Sequence, residues 1–345
     1  MKILHLLSSN SFSGAENVAC QIISLMKKID GYEMIYCSPD GTIRQTLDER
    51  DIRFVPLQRL SIAEVRLALS EQRPDVIHAH DMKASVIAAY VHGNLPVISH
   101  IHNSDFCARK LSAKSILYLL GSRNIRSILW VSESCFHSYR FYNFLRQKSQ
   151  ILYNIIDADG VVSKAMQDAN EYDYDIVYVG RLAKPKNPMR LIRIIDLVRT
   201  RKRDVKVAIV GSGELEHEVH SEVERRGLQN CITFHGFMNN PLKVLACAKV
   251  MVMTSDREGL PMAALEAMAL GVPIVSTPTD GLVDLVRPGI TGYLEWDEKI
   301  FSAKVLSLIT DAKERAKFSE ATAEAFLQIN DLKHYGDVLH ELYRR

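Results

Sequence analysis

The chain has 345 residues, of which 47% are hydrophobic and 24% charged, and its net charge is +2. That length suits two domains of about 150–190 residues better than one core, and the near-neutral balance excludes a dedicated nucleic-acid binder. Six cysteines (Cys20, Cys37, Cys107, Cys135, Cys231 and Cys247) never fall at CxxC spacing, which reads as reduced core thiols of a cytoplasmic protein and not as a zinc site or disulfide framework.

The opening MKILHLL is too short for a signal-peptide core and predicts a first strand over Lys2–Leu7. Further strands are predicted at Glu33–Cys37, Arg53–Pro56, Val76–Ala79, Val97–Ile101, Ile128–Val131 and Ser149–Tyr153. Helical periodicity separates them at Ala15–Lys28, Ile43–Arg50, Ile62–Glu71, Lys83–His92 and Lys110–Arg123. The polar stretch Asp157–Asp175 lacks a strand pattern and reads as a linker region. Alternation then restarts with strands Ile176–Gly180, Val205–Gly211, Ile232–His235, Val250–Thr254, Pro273–Ser276 and Thr291–Leu294. Helices Pro188–Arg201, Glu214–Arg226, Pro241–Cys247 and Pro261–Leu270 lie between them, and the charged tail Phe301–Arg345 is helical. Short apolar strands alternating with helices predict parallel sheets covered on both faces. The expected fold is therefore α/β, two doubly wound Rossmann-like domains over 1–160 and 170–327. A ligand is expected in the cleft where the carboxyl ends of the two sheets face each other. No run reaches the roughly 18 apolar residues of a membrane span.

Three stretches of the second half carry chemistry. In VGRLAKPKNPMRL, Gly180 closes a strand and Arg181 and Lys186 fill the following loop, with Asn187 as N-cap and Pro188 opening a helix. Two cations beside a helix start would neutralise a diphosphate without a divalent metal; they could equally be solvated loop charges. GSGELE (Gly211–Glu216) lacks the third glycine of a dinucleotide fingerprint, so a tight strand-to-helix turn is the better reading. In SDREGLPMAALEAM, Ser255 begins a strand-end loop, Pro261 opens a helix and Gly271 ends it. Glu258 stands before that helix and Glu266 inside it, eight positions on, so they lie at most about 12 Å apart along the axis at ~1.5 Å per residue. One carboxylate at each end would suit two polyols flanking a diphosphate. The plainer alternative is one helix-start and one solvated glutamate.

These stretches resemble glycosyltransferase family 4, the retaining nucleotide-sugar transferases of the GT-B fold. The resemblance extends over SGAE (Ser13–Glu16), VIHAH (Val76–His80), HIHN (His100–Asn103), VSES (Val131–Ser134), NIID (Asn154–Asp157), VGRLAKPKN, VGSGE and FHGF (Phe234–Phe237). It implies that Arg181 and Lys186 hold the donor diphosphate, that Glu266 binds the ribose and that Glu258 contacts the donor sugar. Gly180, Ser255, Gly259, Leu260 and Pro261 would line the donor pocket, with Gly14 near donor or acceptor and His102 reaching the sugar through a hydrogen bond. It further implies that a helix over about 328–345 packs back on the first domain. Asp284 in place of glutamate, Ser13 at the head of the first loop and Ile155 in place of glycine depart from the family pattern. They bear on the acceptor side and the hinge more than on the donor site.

No metal or other cofactor is expected. His78 and His80 form a His-x-His pair, but no third ligand stands at convincing spacing, and His78 reads as a core or supporting residue. The Asp157–Asp159 and Asp173–Asp175 pairs lie in or beside the linker region, away from any strand end. The segment 107–148 carries a net +7 with interleaved aromatic and aliphatic residues. It is either a solvated face over core aromatics or a surface for an anionic membrane or a pyrophosphate-lipid acceptor. The expected activity is transfer of a sugar from a nucleotide donor, a UDP-sugar by family habit, to a glycan or lipid-linked glycan in cell-surface polysaccharide synthesis. The expected location is the cytoplasm, with peripheral contact at the inner membrane face. A sugar-nucleotide epimerase and a non-catalytic partner subunit are the alternatives.

Overall fold

The structure, a computed structural model, describes residues 1–102 and 107–345. Asn103, the last residue of the HIHN motif, lies outside the described residues. The chain divides into two compact units, Met1–Ile155 with Asp331–Arg345, and Ile156–Asn330.

Unit 1 runs β1 (Lys2–Leu7), α1 (Gly14–Lys27), β2 (Glu33–Pro39), α2 (Ile43–Glu49), β3 (Phe54–Leu57), α3 (Ile62–Gln72), β4 (Val76–His80), α4 (Met82–Val91), β5 (Val97–Ile101), α5 (Ala113–Gly121), β6 (Ser127–Trp130), α6 (Glu133–Ser138), α7 (Tyr142–Leu145) and β7 (Ser149–Ile151). Its strands form one parallel sheet in the order β3-β2-β1-β4-β5-β6-β7. One sheet face packs Leu4, Leu6, Ile77, Ala79, Ile128 and Trp130 into the core.

Unit 2 runs α8 (Ala158–Gln167), β8 (Tyr174–Val179), α9 (Pro188–Arg199), β9 (Val207–Val210), α10 (Glu216–Arg225), β10 (Ile232–Gly236), α11 (Leu242–Ala246), β11 (Ala248–Met253), α12 (Met262–Ala269), β12 (Ile274–Ser276), α13 (Asp280–Leu285), β13 (Gly292–Leu294), α14 (Glu298–Thr310) and α15 (Ala312–Ile329). Its parallel sheet has the order β10-β9-β8-β11-β12-β13. The central strands read as unbroken apolar runs because helices cover both faces: VAIV of β9 is buried at every position.

The polar segment Asp157–Asp175 is not a linker. Asp157 caps α8 by accepting from the Gly160 amide. Val161 and Ala165, one turn apart, are the buried residues of the helix, which packs on α11 and α12. With so few apolar residues on a narrow stripe, the sequence pattern was too weak to declare the helix. Three of the four aspartates of the Asp-x-Asp pairs have partners within the chain. Asp157 is committed to its cap, Asp173 pairs with Lys206, and buried Asp175 pairs with Lys249 at 2.7 Å and Lys202 at 3.4 Å.

The last helix, α16 (Leu332–Arg344), belongs to unit 1. Asp331 caps it, and Tyr335, Val338, Leu339, Leu342 and Tyr343 make its buried stripe. Tyr343 Oη lies 2.8 Å from His78 Nδ1, and Arg126 donates to the Leu342 carbonyl. Burial of that stripe holds the helix down. Leu339 is completely enclosed. Leu339→Ala is expected to lower stability in urea unfolding by about 2–5 kcal/mol, whereas Lys333→Ala, on the exposed side, is expected to stay within about 0.5 kcal/mol of wild type.

Candidate donor site in the second unit

In unit 2 the chain leaves β8 toward β9 and β10 on one side and returns to β11 on the other. The loops after β8 and β11 therefore part at the carboxyl edge, the position where doubly wound sheets bind ligands. The β8 loop carries Gly180, exposed Arg181 and, in a short 3-10 turn, Lys186. The β11 loop carries Ser255, Asp256, Glu258, Gly259, Leu260 and Pro261.

Hydrogen bonds stitch the two loops together. The Asp256 amide donates to the Pro185 carbonyl at 2.9 Å, and Thr254 Oγ1 donates to the carbonyls of Lys186 and Asn187. Asn187 takes the left-handed conformation (φ +46°), caps α9 through the Arg190 amide, and donates to Asp256 from its side chain. Lys186 Nζ then reaches both oxygens of Glu258, at 2.6 and 2.7 Å. Glu258 is 7% exposed and also accepts from Ser255 Oγ. An ammonium carries three donors, and two of Lys186's meet this carboxylate. The cation is thus fixed at the mouth of the β8 loop instead of waving in solvent.

The backbone around the glutamate is equally constrained. Thr277 Oγ1, at the end of β12, donates to the Ser255 carbonyl. A Cβ on Gly281, in the first turn of α13, would stand 1.7 Å from the Gly259 carbonyl oxygen. Gly281 is therefore what lets α13 press against the Gly-Leu-Pro loop. Leu260 and Pro261 are buried, Pro261 is the N-cap of α12, and Glu266 sits half-buried on that helix. Gly271, at φ +66°, ends the helix. The Gly-Ser-Gly segment is a tight turn. A Cβ on Gly211 (φ +130°) would lie 2.1 Å from the Gly180 carbonyl oxygen, and one on Gly213 would lie 2.4 Å from that of Leu182. These glycines seat the β9 turn under the Gly180–Leu182 backbone. Tyr178 Oη donates to the Arg181 carbonyl, and burial, with Glu258 nearby, pushes its phenol up.

The candidate residues of unit 2 (Gly180, Arg181, Lys186, Ser255, Glu258 to Pro261 and Glu266) thus all lie on the β8 and β11 loops or on α12. Thr254, Asp256, Thr277 and Gly281 complete the set and were not singled out by sequence. Gly281 left a signal, a glycine just after a strand-end Thr-Asp, but α13 itself was not predicted and gave that glycine no context.

Two candidates belong to unit 1. Gly14 opens α1, and a Cβ there would meet nothing within 4 Å, so the packing of the chain does not require glycine at this position. Beside it, Ser13 Oγ donates to the buried Glu16 carboxylate, and burial raises that acid. His102 follows β5 and is 8% exposed. Its Nε2 lies 2.8 Å from His80 Nδ1, and His80 Nε2 lies 2.9 Å from His5 Nδ1. Burial holds His5 and His102 down at about 3 and keeps His78, His80 and His100 well below the usual imidazole range, so all five rings are neutral at neutral pH.

The geometry yields a direct test. Gly281→Ala must push the Gly259 carbonyl aside and is expected to lower stability in urea unfolding by about 1–3 kcal/mol. Gly14→Ala, entering open space, is expected to leave the unfolding midpoint unchanged.

Comparison with known proteins identifies the family and the fold. The family model described as Glycosyltransferase Family 4 matches residues 12–159, and the one described as Glycosyl transferases group 1 matches residues 163–325. The poly(glycerol-phosphate) alpha-glucosyltransferase of Bacillus subtilis is 24% identical over 92% of this chain and 47% of its own length. The chain therefore spans about half of that relative. The capsular polysaccharide biosynthesis glycosyltransferase CapM of Staphylococcus aureus is 24% identical over 84% of this chain and 83% of its own. The crystal structure of Anabaena Alr3699/HepE in complex with UDP superposes with a TM-score of 0.84 at 21% identity, covering 99% of both chains. The two parallel-sheet units are those of the GT-B fold, and the chain belongs to glycosyltransferase family 4.

Proposed function

We propose that this chain is a retaining glycosyltransferase that moves a sugar from a UDP-sugar to a hydroxyl of a glycan or lipid-linked glycan during cell-surface polysaccharide synthesis. The observation that carries the reading is the Lys186–Glu258 pair at the point where the strand order reverses. Arg181 and Lys186 supply positive charge for a diphosphate, so no divalent metal is needed there. Because Glu258 already fixes Lys186, that charge needs little reorganisation when the leaving group develops its own. The far side of Glu258 and the Gly259–Pro261 backbone line the sugar, and Glu266 takes the ribose hydroxyls. This reading uses no side-chain nucleophile. The sugar C1–O bond to the diphosphate breaks as the acceptor oxygen bonds to the same face, and the acceptor proton passes to the departing phosphate oxygen.

Relatives support the donor class. Anabaena Alr3699/HepE was crystallised with UDP, with UDP and glucose, and with UDP-glucose. The Bacillus relative forms an alpha linkage by name, the outcome that retention gives from an α-linked donor. None of these names describes an epimerase or a non-catalytic subunit. The first experiment is calorimetric titration with UDP and with GDP in chelator. UDP is expected to bind, and binding that appeared only on adding a divalent metal would overturn the cation clamp. Lys186→Ala and Glu258→Ala are each expected to lower turnover by about 10²–10³-fold, with the folded state checked by circular dichroism. Near-normal turnover in both would refute the site.

The basic segment 107–148 supports a membrane-surface role. On α5 the side chains of Ile116, Leu117 and Leu120 are exposed, as is Leu111 just before it, beside Lys110, Lys114 and Arg123. Apolar residues framed by cations suit an anionic bilayer, with the apolar side chains entering the headgroup boundary. Among the described residues no helix is long and apolar enough to cross a membrane. Co-sedimentation with phosphatidylglycerol vesicles at low salt is expected for the wild type and strongly reduced for Leu117→Glu/Leu120→Glu. Absence of wild-type binding would remove the membrane reading and leave the transferase reading standing.

A further inference from the structure

Five imidazoles converge on one face of the unit 1 sheet. His5 pairs in register with His78 across β1 and β4, and His80 pairs with His100 across β4 and β5. Register neighbours and alternate residues share a face, so His5, His78, His80, His100 and His102 all project to the side opposite the Leu4–Ala79 core. Ring centroids of consecutive neighbours lie 4.3–5.6 Å apart. Four of the five are fully enclosed. Both ring nitrogens of His100, Nδ1 of His102 and Nε2 of His5 and His78 have no hydrogen-bond partner among the described residues. Every neutral imidazole has one N–H and one lone pair, and leaving these unpaired in a dry interior is costly.

Two triads, His5/His78/His80 and His80/His100/His102, each present ligand nitrogens within 4.8 Å of one another. The first is closed off: His78 Nδ1 is committed to Tyr343, and all three rings are fully buried. The second ends at His102, the one ring that retains some exposure, at the carboxyl end of the sheet. We propose that His80, through Nδ1, His100 and His102, through Nε2, bind a divalent first-row transition ion of the zinc class. Three neutral imidazoles are a zinc-type donor set.

His5 supports the ligand that the triads share. With Nδ1 on the metal, His80 keeps its proton on Nε2 and donates it to His5 Nδ1, the outer-shell bond that fixes a ligating imidazole. The His80–His102 contact of 2.8 Å is a hydrogen bond in the metal-free chain. Around an ion at about 2.0–2.1 Å from each nitrogen the same edge would be about 3.4 Å, so loading requires these rings to part by roughly half an ångström. Each ring stays neutral, carrying its proton on the nitrogen that faces away. The ion sits in unit 1 and takes no part in neutralising a diphosphate at Arg181 and Lys186. The sequence reading found no third ligand for the His-x-His pair because His100 and His102 arrive from the neighbouring strand.

The test uses untagged full-length protein, so that no added histidines compete. After incubation with Zn²⁺ and removal of excess by gel filtration, about one ion per chain is expected by elemental analysis. Zn²⁺ is also expected to raise the thermal midpoint. Both effects should vanish in His100→Ala and persist in His217→Ala, an exposed histidine of unit 2. Substituting Co²⁺ in the wild type provides a readout that does not depend on any variant folding. Intense visible d–d bands of a tetrahedral nitrogen site are expected, whereas the weak bands of an octahedral ion, or no retained metal, would overturn the proposal. Metal content and cobalt spectrum are read without donor or acceptor, so their failure leaves the transferase reading untouched.

Discussion

The constraint on which the candidate site depends is the parallel pairing of β8 with β11. That pairing alone brings Lys186, which follows β8, to within hydrogen-bond distance of Glu258, which lies 72 positions later. Everything else in the site serves that meeting. Thr254 and Asp256 tie the β11 loop to the β8 loop through backbone acceptors, and Asn187 accepts a left-handed conformation to turn the chain into α9. A carboxylate this buried is costly to hold as an ion unless it is paired and hydrogen-bonded. Lys186 and Ser255 meet that requirement, and in doing so they make a rigid charged centre.

The second contribution is steric. Gly211, Gly213 and Gly281 each stand where a side chain would collide with a backbone carbonyl of the β8 or β11 loop. Three separate glycines therefore let neighbouring turns pack directly on the two loops that carry the charges. Loops normally sample many conformations. Here backbone-to-backbone packing removes that freedom without a ligand. The contrast with Gly14 is informative: there nothing in the chain occupies the space a Cβ would take. Its lack of a side chain has no packing cause within the protein.

Most strands and helices could be read from the sequence because apolar runs and helical periodicity alternate cleanly. Lys2–Leu7 and Val97–Ile101 coincide with β1 and β5. Ends shifted where a loop residue is apolar for another reason, as at Val205, which is buried but precedes β9. The misses were short or sparsely apolar helices, α6, α7, α8 and α13, whose own patterns are weak; Ser132 and Asp157 cap α6 and α8, whereas α7 and α13 have no side-chain cap. Of the donor site, the charged and loop residues stood out because Glu-x7-Glu and Gly-Arg-x4-Lys are local in sequence. Thr254, Thr277 and Gly281 did not, because their importance lies in contacts across strands. The Lys186–Glu258 pair itself is invisible to any local pattern: each residue had been assigned a separate partner in a ligand, and strand order alone makes them partners of each other.

The histidine face of unit 1 applies the same rule to different chemistry. In unit 2 parallel register brings opposite charges together, and the pair satisfies itself. In unit 1 register brings together five neutral rings, and neutral rings in a chain cannot all satisfy one another. The run His5–His80–His102 uses one nitrogen of each end ring and both of the middle one. Each terminal ring is therefore left with one buried nitrogen unpaired, and His100 with two. Apolar side chains of similar size would fill this face at lower cost, as they do on the opposite side of the same strands. An ion held by His80 Nδ1, His102 Nε2 and one nitrogen of His100 would pair one of these orphans and take the place of the His80–His102 hydrogen bond; the convergence of three neutral ligand nitrogens within 4.8 Å of one another is the physical ground for assigning one to the triad that ends at His102.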